Sequence, residues 1–346
     1  MAPELICPAC GCDLDERTSF HCTGCKRSYP VVAGIPDLRL APDRYLSLAD
    51  DRRKAERIAA VDGSALDLVD AYWAMTPEVP PDFAAAYRAN ASRTIDRGDA
   101  VLDRLEKLAA GTTVLDVGCG TGGLVVAAAR RGAEAVGIDI ALRWLVICAR
   151  LADDAGIHAR FLAADGSLPP FRRRSFAVVT CIETLEHAAD PQATLQRTLA
   201  LSSHQFLAVA TNRYSIAPDP TVKLMFAGML PRSLATRYIR ARRNTGSANY
   251  APLSVSQVRT WLGPTPGAGR HPVHVRASVV PPLPLATSWA RRAATASHDR
   301  LVTGRFEPLV RAVMPMMEVC WSASGGDEPQ DVKAQRGDQR GNEKGR

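Results

Sequence analysis

The pattern of apolar and polar residues changes near residue 111. Residues 41–110 are predicted to be helical, in "LADDRRKAERIAAVDGSALDLVDAYWAM" and, after the breaker "TPEVPPD", in "FAAAYRANASRTIDRGDAVLDRLEKLAAG". Gly111 is predicted to be the C-cap of the last helix, because glycine favours the left-handed conformation found there. These helices are therefore expected to connect the start of the chain to the region after residue 111.

From residue 113 the pattern alternates between short β-type runs and helices. The predicted strands are "TVLDVG" (113–118), "AEAVGID" (133–139), "ARFLAAD" (159–165), "FAVVTCIE" (176–183) and "QFLAVAT" (205–211). The helices are "GGLVVAAARRG", "LRWLVICARLADDAG" and "PQATLQRTLAL". Such alternation is typical of an α/β fold with a doubly wound, mostly parallel sheet.

After residue 212 the pattern loosens, and we predict an insertion over residues 213–255 with a helix in "RSLATRYIRARR". A helix in "LSVSQVRTWLG", a strand in "HPVHVRASVV", helices after "PPLPL" and a last strand in "MMEVCWSAS" (316–324) are expected beyond it. Residues 325–346 are rich in glycine and charge and are expected to be disordered. The predicted units are a head (1–40), a helical cap (41–110), an α/β domain (111–324) and a tail (325–346).

Composition adds little about function. The net charge of +7 is compatible with an anionic partner but does not require one. Because there is no apolar run of about 18 residues and no secretory signal pattern, we expect a cytoplasmic protein without a membrane span. Four cysteines are scattered in apolar contexts and are predicted to be buried: Cys119, Cys148, Cys181 and Cys320.

The head carries two Cys-x-x-Cys pairs in the spacing C-x2-C-x11-C-x2-C. The four residues are Cys7, Cys10, Cys22 and Cys25. Two such knuckles can close one tetrahedral zinc site, and four thiolates leave no open position for catalysis. The head is therefore predicted to hold a structural zinc ion, which would supply folding free energy to a segment too short to form a core. Cys12 and His21 are further candidates, although His21 is expected to point away.

The stretch "VLDVGCGTGG" (114–123) is a strand that runs into a glycine-rich turn and a helix. Glycines let a backbone approach a ligand closely. Asp116 would repel a phosphate and favour a cationic ligand. Asp139 ends the next strand, where a carboxylate can bind ribose hydroxyls, and Asp165 ends the third, where it can accept a hydrogen bond from adenine. Three carboxylates are thus expected along the ligand-binding edge of the sheet.

These motifs, with "VGID", "AADGSLPPF" and "SFAVVTCIETLEHAADPQ", resemble the class I S-adenosylmethionine-dependent methyltransferases. The resemblance covers residues 110–212 and extends towards 324. It implies a Rossmann-like fold, S-adenosylmethionine as cofactor, and cofactor contacts by Asp116, Gly118, Gly120, Gly122, Asp139, Ile140, Asp165 and Gly166. The chain departs from the family at Ala177, where an acidic residue is frequent, and in "SSHQ" (202–205), which replaces a Gly-Gly turn.

In this family, methyl transfer needs a general base only when the acceptor must lose a proton. The candidates are Glu183 and His187, in "CIETLEH". His187 could instead cap or pack against the next helix, and Glu186 is expected to be solvated. Asn212 and Arg213 are expected near the edge of the pocket, with a surface role as the alternative for Arg213.

Two arginine clusters allow more than one interpretation. The run 172–174 is expected to be a solvated loop. A second cluster lies in the predicted insertion and comprises Arg232, Arg237, Arg240, Arg242 and Arg243. It is either a solvated helix face or a lid that binds an anionic group of the substrate.

The head, in "LICPACGCDL" and "YPVVAGIPDL", resembles the zinc ribbon of a small activator protein that partners tRNA, rRNA and protein methyltransferases. It is less similar to the zinc finger of bacterial 23S rRNA guanine-N1 methyltransferases, which ends differently. Residues 1–40 contain four basic and five acidic residues, whereas an RNA clamp should be basic. A nucleic-acid partner is therefore not favoured.

The sequence favours methyl transfer from S-adenosylmethionine to a small molecule, such as a metabolite, sugar, lipid or natural product, with an anionic group as one option. Two alternatives stay open: an RNA methyltransferase that docks its substrate through the zinc head, and a non-catalytic regulator that binds S-adenosylmethionine. The Asn/Asp-Pro-Pro-Tyr/Phe signature of base N-methylation is missing after the fourth strand. The methyl-accepting atom and the oligomeric state are not determined by the sequence.

Overall fold

The computed structural model describes residues 3–15, 20–215, 224–243, 251–263, 273–277 and 316–323. The predicted tail, the helices expected between the last two strands and parts of the predicted insertion lie outside these ranges. The head contains two short antiparallel hairpins, β1 (Leu14–Asp15) with β2 (His21–Cys22), and β3 (Val31–Val32) with β4 (Ile35–Pro36).

Four helices come after the head, within the segment that the sequence predicts to be helical: α1 (Leu48–Ala59), α2 (Ala65–Ala74), α3 (Pro81–Ala91) and α4 (Thr94–Leu102). Ser64 and Asp67 form a capping box at the start of α2, which satisfies two N–H groups of its first turn. The prediction for Gly111 is wrong. The last helix ends at Leu102, and Gly111 lies in the turn before the next strand, where its N–H bonds to the carbonyl of Gly132.

Within the described residues, the central sheet has seven strands in the order β10-β11-β9-β8-β5-β6-β7. Their bounds are β5 (Thr113–Val117), β6 (Glu134–Asp139), β7 (Arg160–Ala163), β8 (Phe176–Ile182), β9 (Ser202–Thr211), β10 (His274–Ala277) and β11 (Met316–Ser322). Strands β5 to β9 pair in parallel, whereas β10 and β11 are antiparallel additions. The predicted doubly wound α/β sheet is confirmed.

Strand β5 lies between β6 and β8, so the chain reverses its direction of growth across the sheet at this strand. Open α/β sheets bind their ligands beyond the carboxyl ends of the strands at such a switch point. The remaining described helices are α5 (Gly123–Arg130), α6 (Leu142–Asp154), α7 (Pro191–Leu201), α8 (Arg232–Arg243) and α9 (Val255–Leu262). The topology therefore places the glycine-rich turn, which joins β5 to α5, at the expected ligand edge.

The hydrophobic core forms on both faces of the sheet, because successive residues of a strand point to opposite sides. Val114 packs on the face covered by α1, α2, α5 and α6, whereas Leu115 packs on the face covered by α7, α9 and part of the head. Three of the four scattered cysteines are buried, as predicted, while Cys320 is half-buried.

Helix α4 lies directly against the glycine-rich turn. A Cβ at Gly98 would stand 2.6 Å from the Cα of Leu124, and a Cβ at Gly123 would stand 2.1 Å from the carbonyl oxygen of Thr94. The Oγ1 atoms of Thr94 and Thr121 are 2.7 Å apart. Only glycine fits at both close approaches, so the helix and the turn form one tightly packed unit.

The head covers the β7 edge of the sheet. Asp37 pairs with Ala163 in a parallel bridge, and Leu38 donates its N–H to the Ala163 carbonyl at 2.8 Å. Near the start of the head, the N–H of Ile6 donates to the carbonyl of Pro170, in the loop after β7, at 3.0 Å. Arg172, exposed as predicted, pairs with the exposed Asp13 of the head. Covering this edge removes unpaired backbone groups that could pair with other chains.

Candidate functional site

The glycine-rich turn has an unusual backbone. Gly118, Gly120 and Gly122 have φ angles of +73°, +54° and +80°. A Cβ at Gly118 would lie 2.3 Å from Thr184, and one at Gly122 would lie 2.9 Å from Cys148. At Gly120, however, no heavy atom of the described residues lies within 4 Å of an added Cβ. The turn is thus packed on two sides and open above Gly120, where a ligand can reach the backbone.

The carboxylate of Asp139 lies beside this opening. Its Oδ2 accepts the N–H of Gly120 at 2.9 Å, and its Oδ1 accepts the N–H of Ala141 at 2.8 Å. Burial raises the pKa of Asp139, and these two N–H bonds oppose the shift. Each carboxylate oxygen can accept a second hydrogen bond. The position at the end of β6 suits contact with neighbouring hydroxyl groups of a ligand.

Asp116 supplies a second buried carboxylate at the end of β5. It is 5% exposed and accepts a hydrogen bond from the hydroxyl of Thr180 at 2.8 Å. Burial raises the pKa of Asp116 to about 7; the Thr180 bond opposes this shift, and the charge of Asp139 adds to it. A cationic group near these carboxylates would favour their ionised form.

The other predicted cofactor residues lie along the same edge. Asp165, just beyond β7, accepts the N–H of Ser167 at 2.8 Å. A Cβ at Gly166 would stand 3.0 Å from Val117, so this glycine permits a tight turn beside β5. Ile140 follows Asp139 and uses its carbonyl to accept a bond from Arg39. The sheet therefore brings together the residues that the sequence predicted as cofactor contacts.

Glu183 directly follows β8 and has a left-handed backbone, with φ +52°. Its N–H donates to the Val209 carbonyl at 2.8 Å, which anchors this conformation. Its carboxylate is 45% exposed and lies 3.4 Å from the guanidinium of Arg97 on α4. Left-handed conformations of residues other than glycine are frequently functional. Glu183 is therefore held at the ligand edge of the sheet with a cation beside it.

His187 ends a short 3-10 turn, Leu185–His187, and its side chain is exposed. Its N–H donates to the Thr184 carbonyl at 3.0 Å. The 3-10 turn separates it from α7, which begins at Pro191 with Asp190 as its N-cap. Asp190, rather than His187, therefore caps the next helix.

The expectation that Glu186 is solvated is wrong. It is 1% exposed, and its Oε1 accepts both the N–H and the hydroxyl of Thr211 at 3.1 and 2.7 Å. Burial raises the pKa of Glu186, and the charge of His187 opposes the shift. The 3-10 turn directs this side chain beneath the end of β9, away from solvent. Glu186 is thus a structural contact between two strand ends.

The chain beyond β9 is held by backbone pairing. Asn212, 1% exposed, pairs in parallel with Leu253, and Arg213 donates its N–H to the Leu253 carbonyl at 2.8 Å. The Nε of Arg213 donates to the carbonyl of Gly228 at 3.2 Å. The end of the predicted insertion is therefore fixed next to the ligand edge of the sheet.

Helix α8 confirms the helix predicted within the insertion. Ile239 is 2% exposed and anchors one face of it. Four of its predicted arginines are exposed: Arg232, Arg237, Arg240 and Arg242. The side chain of Arg243 lies outside the described residues. The exposure fits a solvated face, and an anion-binding role stays a prediction.

The four predicted cysteine ligands converge. The Sγ atoms of Cys7, Cys10, Cys22 and Cys25 all lie within 4.8 Å of one another. Zinc–sulfur bonds of about 2.3 Å in a tetrahedron place sulfurs about 3.8 Å apart. The observed separations of 3.7 Å for Cys7–Cys25 and 3.4 Å for Cys10–Cys22 are close to that. The cluster therefore fits one tetrahedral metal ion.

The two additional candidates do not join this cluster. His21 points its Nδ1 to the hydroxyl of Ser28, 3.0 Å away, as expected for a residue turned outward. Cys12 is exposed and lies next to Gly24, where an added Cβ would stand 2.5 Å from its Sγ. The N–H of Cys25 lies 3.4 Å from the Sγ of Cys22, a bond that would orient a thiolate ligand.

Two side chains near the site were missed by the sequence reasoning. One is Arg97, whose guanidinium lies 3.4 Å from the carboxylate of Glu183. Tyr87 stacks on Trp144 with ring centroids 4.8 Å apart, and burial together with the charge of Asp139 raises the pKa of Tyr87. Both come from helices that precede the α/β domain, and no motif in the sequence marks them.

A parallel sheet with an open glycine turn at its switch point, and a carboxylate at the end of the next strand, defines a Rossmann-like fold with a site for a nucleoside-containing cofactor. Residues 114–203 match the family described as "Methyltransferase domain". The ubiquinone biosynthesis O-methyltransferase of Ralstonia nicotianae is 33% identical over 172 residues, which cover 47% of this chain and 71% of that protein. The chain belongs to the S-adenosylmethionine-dependent methyltransferases.

Other matches cover different shares of the chain. The ubiquinone biosynthesis O-methyltransferase of Leptothrix cholodnii is 42% identical over 89 residues, 25% of this chain, and the chain spans 37% of the length of that relative. Magnesium protoporphyrin IX methyltransferase from Synechocystis, solved with bound SAH, is 14% identical with a TM-score of 0.41, covering 78% of this chain and 91% of that one. Among the described residues, no helix is long and apolar enough to cross a membrane.

Proposed function

We propose that this protein transfers a methyl group from S-adenosylmethionine to a hydroxyl group of a small molecule. The observation that carries the proposal is the open space above Gly120 beside the Asp139 carboxylate. A ribose could lie against the backbone at Gly120 with its hydroxyl groups next to the Asp139 carboxylate, so these two residues fit the cofactor. The name O-methyltransferase, carried by the relatives from Ralstonia and Leptothrix, supports an oxygen acceptor.

When bound, the cofactor supplies an electrophilic sulfonium methyl group. The residues of this chain contribute binding and orientation. Asp139 would accept hydrogen bonds from the ribose hydroxyls, Asp165 and Gly166 would hold the adenine, and Asp116 with the three glycines of the turn would hold the methionine part. The negative charge of Asp116 also complements the cationic groups of that part.

The acceptor hydroxyl must lose a proton as its oxygen forms the new bond to carbon. Glu183 is the base that the structure favours. Its carboxylate stands at the carboxyl end of β8, next to the glycine turn, and lies 3.4 Å from the guanidinium of Arg97. His187 is the second candidate, because it is exposed and only four residues further along the chain.

We propose that the insertion after β9 borders the acceptor pocket. The pairing of residues 212 and 213 with Leu253 returns the chain to the end of β9, beside the buried Glu186. An insertion held there at both ends can cover the substrate, and the exposed arginines of α8 would suit an anionic group. We also propose that the chain is divided into the head (1–40), the helical cap (41–110) and the α/β domain (111–324).

We propose that the head binds a structural zinc ion through its four clustered cysteines. The geometry supports this, and four thiolates leave no site for a substrate. The head also contributes buried side chains to the face of the sheet, among them Leu5, Tyr29 and Leu38. It is thus packed as part of the body of the protein, which supports a structural role over a mobile RNA clamp.

The test of the proposed function is direct. The purified protein is titrated with S-adenosylmethionine in a calorimeter and then incubated with methyl-labelled cofactor and a panel of phenols, alcohols and bulk RNA. Binding followed by label transfer to an oxygen supports the proposal. Binding with transfer only to RNA would establish the RNA alternative, and the absence of binding would overturn the proposal.

A further inference from the structure

A network of buried charges lies between the end of the head, helix α1 and the start of α6. Its members have side chains that are at most 4% exposed: Asp37, Arg39, Asp43, Asp51 and Arg143. Asp37 also pairs with the partly exposed Arg52. Burying several charges costs free energy that apolar side chains would not cost. A network of this kind is therefore expected to do something other than add stability.

Arg39 makes the first connection between this network of buried charges and the proposed cofactor site. Its Nε and Nη2 bind the Asp37 carboxylate at 2.7 and 2.8 Å, and its Nη1 donates to Asp51 at 2.5 Å. The same Nη1 donates to the carbonyl of Ile140 at 2.7 Å. Ile140 directly follows Asp139, the proposed ribose ligand. The guanidinium is thus fixed by two carboxylates and holds the backbone next to that ligand.

Asp51 makes the second connection, from the network to the start of α6. Its Oδ2 accepts the N–H of Leu142, the first residue of α6, at 3.0 Å. Its Oδ1 binds the guanidinium of Arg143 at 2.8 Å. The N-cap residue of α6, Ala141, offers no side-chain hydrogen bond. Asp51 therefore caps α6 from a different helix, with a negative charge at the positive end of the helix dipole.

Together these bonds hold one backbone group in each of the three residues after Asp139. The Ile140 carbonyl is held by Arg39, the Ala141 N–H by the Asp139 side chain itself, and the Leu142 N–H by Asp51. The segment has little freedom left, so the Asp139 carboxylate is held towards the N–H of Gly120. Such pre-orientation reduces the ordering that a ligand must impose when it binds.

We propose that Asp51 and Arg39 are positioning residues for the cofactor: they fix residues 139–142 so that the Asp139 carboxylate faces the open side of Gly120. The inference rests on the proposed function. Asp51 is 1% exposed at its side chain and Arg39 is fully buried, so a ligand above Gly120 does not touch them. A purely structural role would lower stability alone, whereas a positioning role lowers cofactor affinity in the folded protein.

The experiment compares the full-length, zinc-loaded protein with Asp51→Asn, which keeps the size of the side chain and removes its charge. The affinity for S-adenosylhomocysteine is measured by calorimetry, and the melting temperature is measured in parallel. We expect the dissociation constant to rise about tenfold, within the usual range of coupling between two sites. Arg39→Lys, which retains the charge but loses the fork of donors, is expected to act in the same direction and serves if Asp51→Asn does not fold.

The matched control is Glu318→Gln. Glu318 is a fully buried carboxylate paired with Arg104, and it lies on β11, two strands away from β8 and remote from residues 139–142. It should lower the melting temperature and leave the affinity unchanged. If the wild type binds and Asp51→Asn or Arg39→Lys binds equally well, the inference is overturned while the proposed function stands. If the wild type itself does not bind, both fall.

Discussion

The main-chain N–H of Gly120 donates to the carboxylate of Asp139 across 2.9 Å, joining the glycine turn after β5 to the end of β6. This one bond connects two sequence motifs that lie 19 residues apart and fixes their relative position. Because the space above Gly120 is open, a ligand there would contact both the backbone of the turn and the neighbouring carboxylate. The proposed cofactor site is built around this pair.

A side chain at Gly120 should interfere with binding of the cofactor. We expect Gly120→Ala to weaken binding of S-adenosylhomocysteine at least tenfold, because the methyl group enters the open space and the φ of +54° is strained for alanine. Calorimetry provides the measurement. Gly111→Ala is the control, since Gly111 has φ +78° and open space but lies in the turn before β5. Equal losses of affinity in both variants would contradict the assignment.

The raised pKa of Asp116 predicts a dependence on pH. Its folded pKa of about 7 lies above the ordinary value of 3.8, so the folded state binds a proton that the unfolded state releases. The contribution of Asp116 to stability is therefore greatest below about pH 4 and is lost as the pH rises towards 7. Asp116→Asn should remove this trend, which melting curves across pH 4–8 will show.

The same group links cofactor binding to pH. A cationic ligand favours ionised Asp116, so affinity for S-adenosylmethionine should increase from pH 6 to pH 8 with release of a proton. Calorimetry in buffers of different ionisation enthalpy measures that proton directly. Asp116→Asn should bind with little change across this range. A pH dependence that persists in the variant would assign the proton to another group.

Assigning the general base to Glu183 or to His187 leads to different predictions for catalysis by variants. If Glu183 is the base, Glu183→Gln should lower kcat by about 10²- to 10⁴-fold, the usual contribution of such a group, and leave the affinity for S-adenosylhomocysteine nearly unchanged. His187→Gln, on the exposed end of the 3-10 turn, should then have a small effect. The reverse order of the two losses in kcat would transfer the role to His187.

The metal site can be tested with two cysteines of the head. Cys22→Ser removes a buried member of the four-thiol cluster and should reduce the zinc content and the melting temperature, because metal binding contributes folding free energy. Cys12→Ser changes an exposed thiol outside the cluster and should affect neither. Zinc is measured by elemental analysis. Full zinc occupancy in Cys22→Ser would speak against the four-cysteine site.

The sequence predicted the parts of the site that depend on local pattern. The strand–turn–helix around Gly118 and the carboxylates at successive strand ends follow from the alternation of elements, since parallel strands end at one edge. Contacts between distant segments could not be predicted. Arg97 reaches Glu183 across 86 residues of sequence, and Asp51 reaches Leu142 across 91.

The exposure of individual side chains could not be predicted from the sequence pattern either. Glu186 is polar and follows a strand, which favours a solvated position, yet the 3-10 turn directs it to Thr211. The end of α4 at Leu102 was missed for a similar reason, because the residues up to Gly111 remain compatible with a helix in their sequence. Tertiary packing, rather than propensity, decided both.

The most direct test of the account is the titration of the wild-type protein and of Asp139→Ala with S-adenosylmethionine in a calorimeter. The Asp139→Ala variant should lose the charge-assisted hydrogen bonds that the carboxylate makes to the ribose, each worth about 1.5–3 kcal/mol. We predict one site per chain in the wild type and binding that is at least tenfold weaker in Asp139→Ala, with the fold retained by circular dichroism. Binding of equal strength in both proteins, or none in the wild type, would contradict the account.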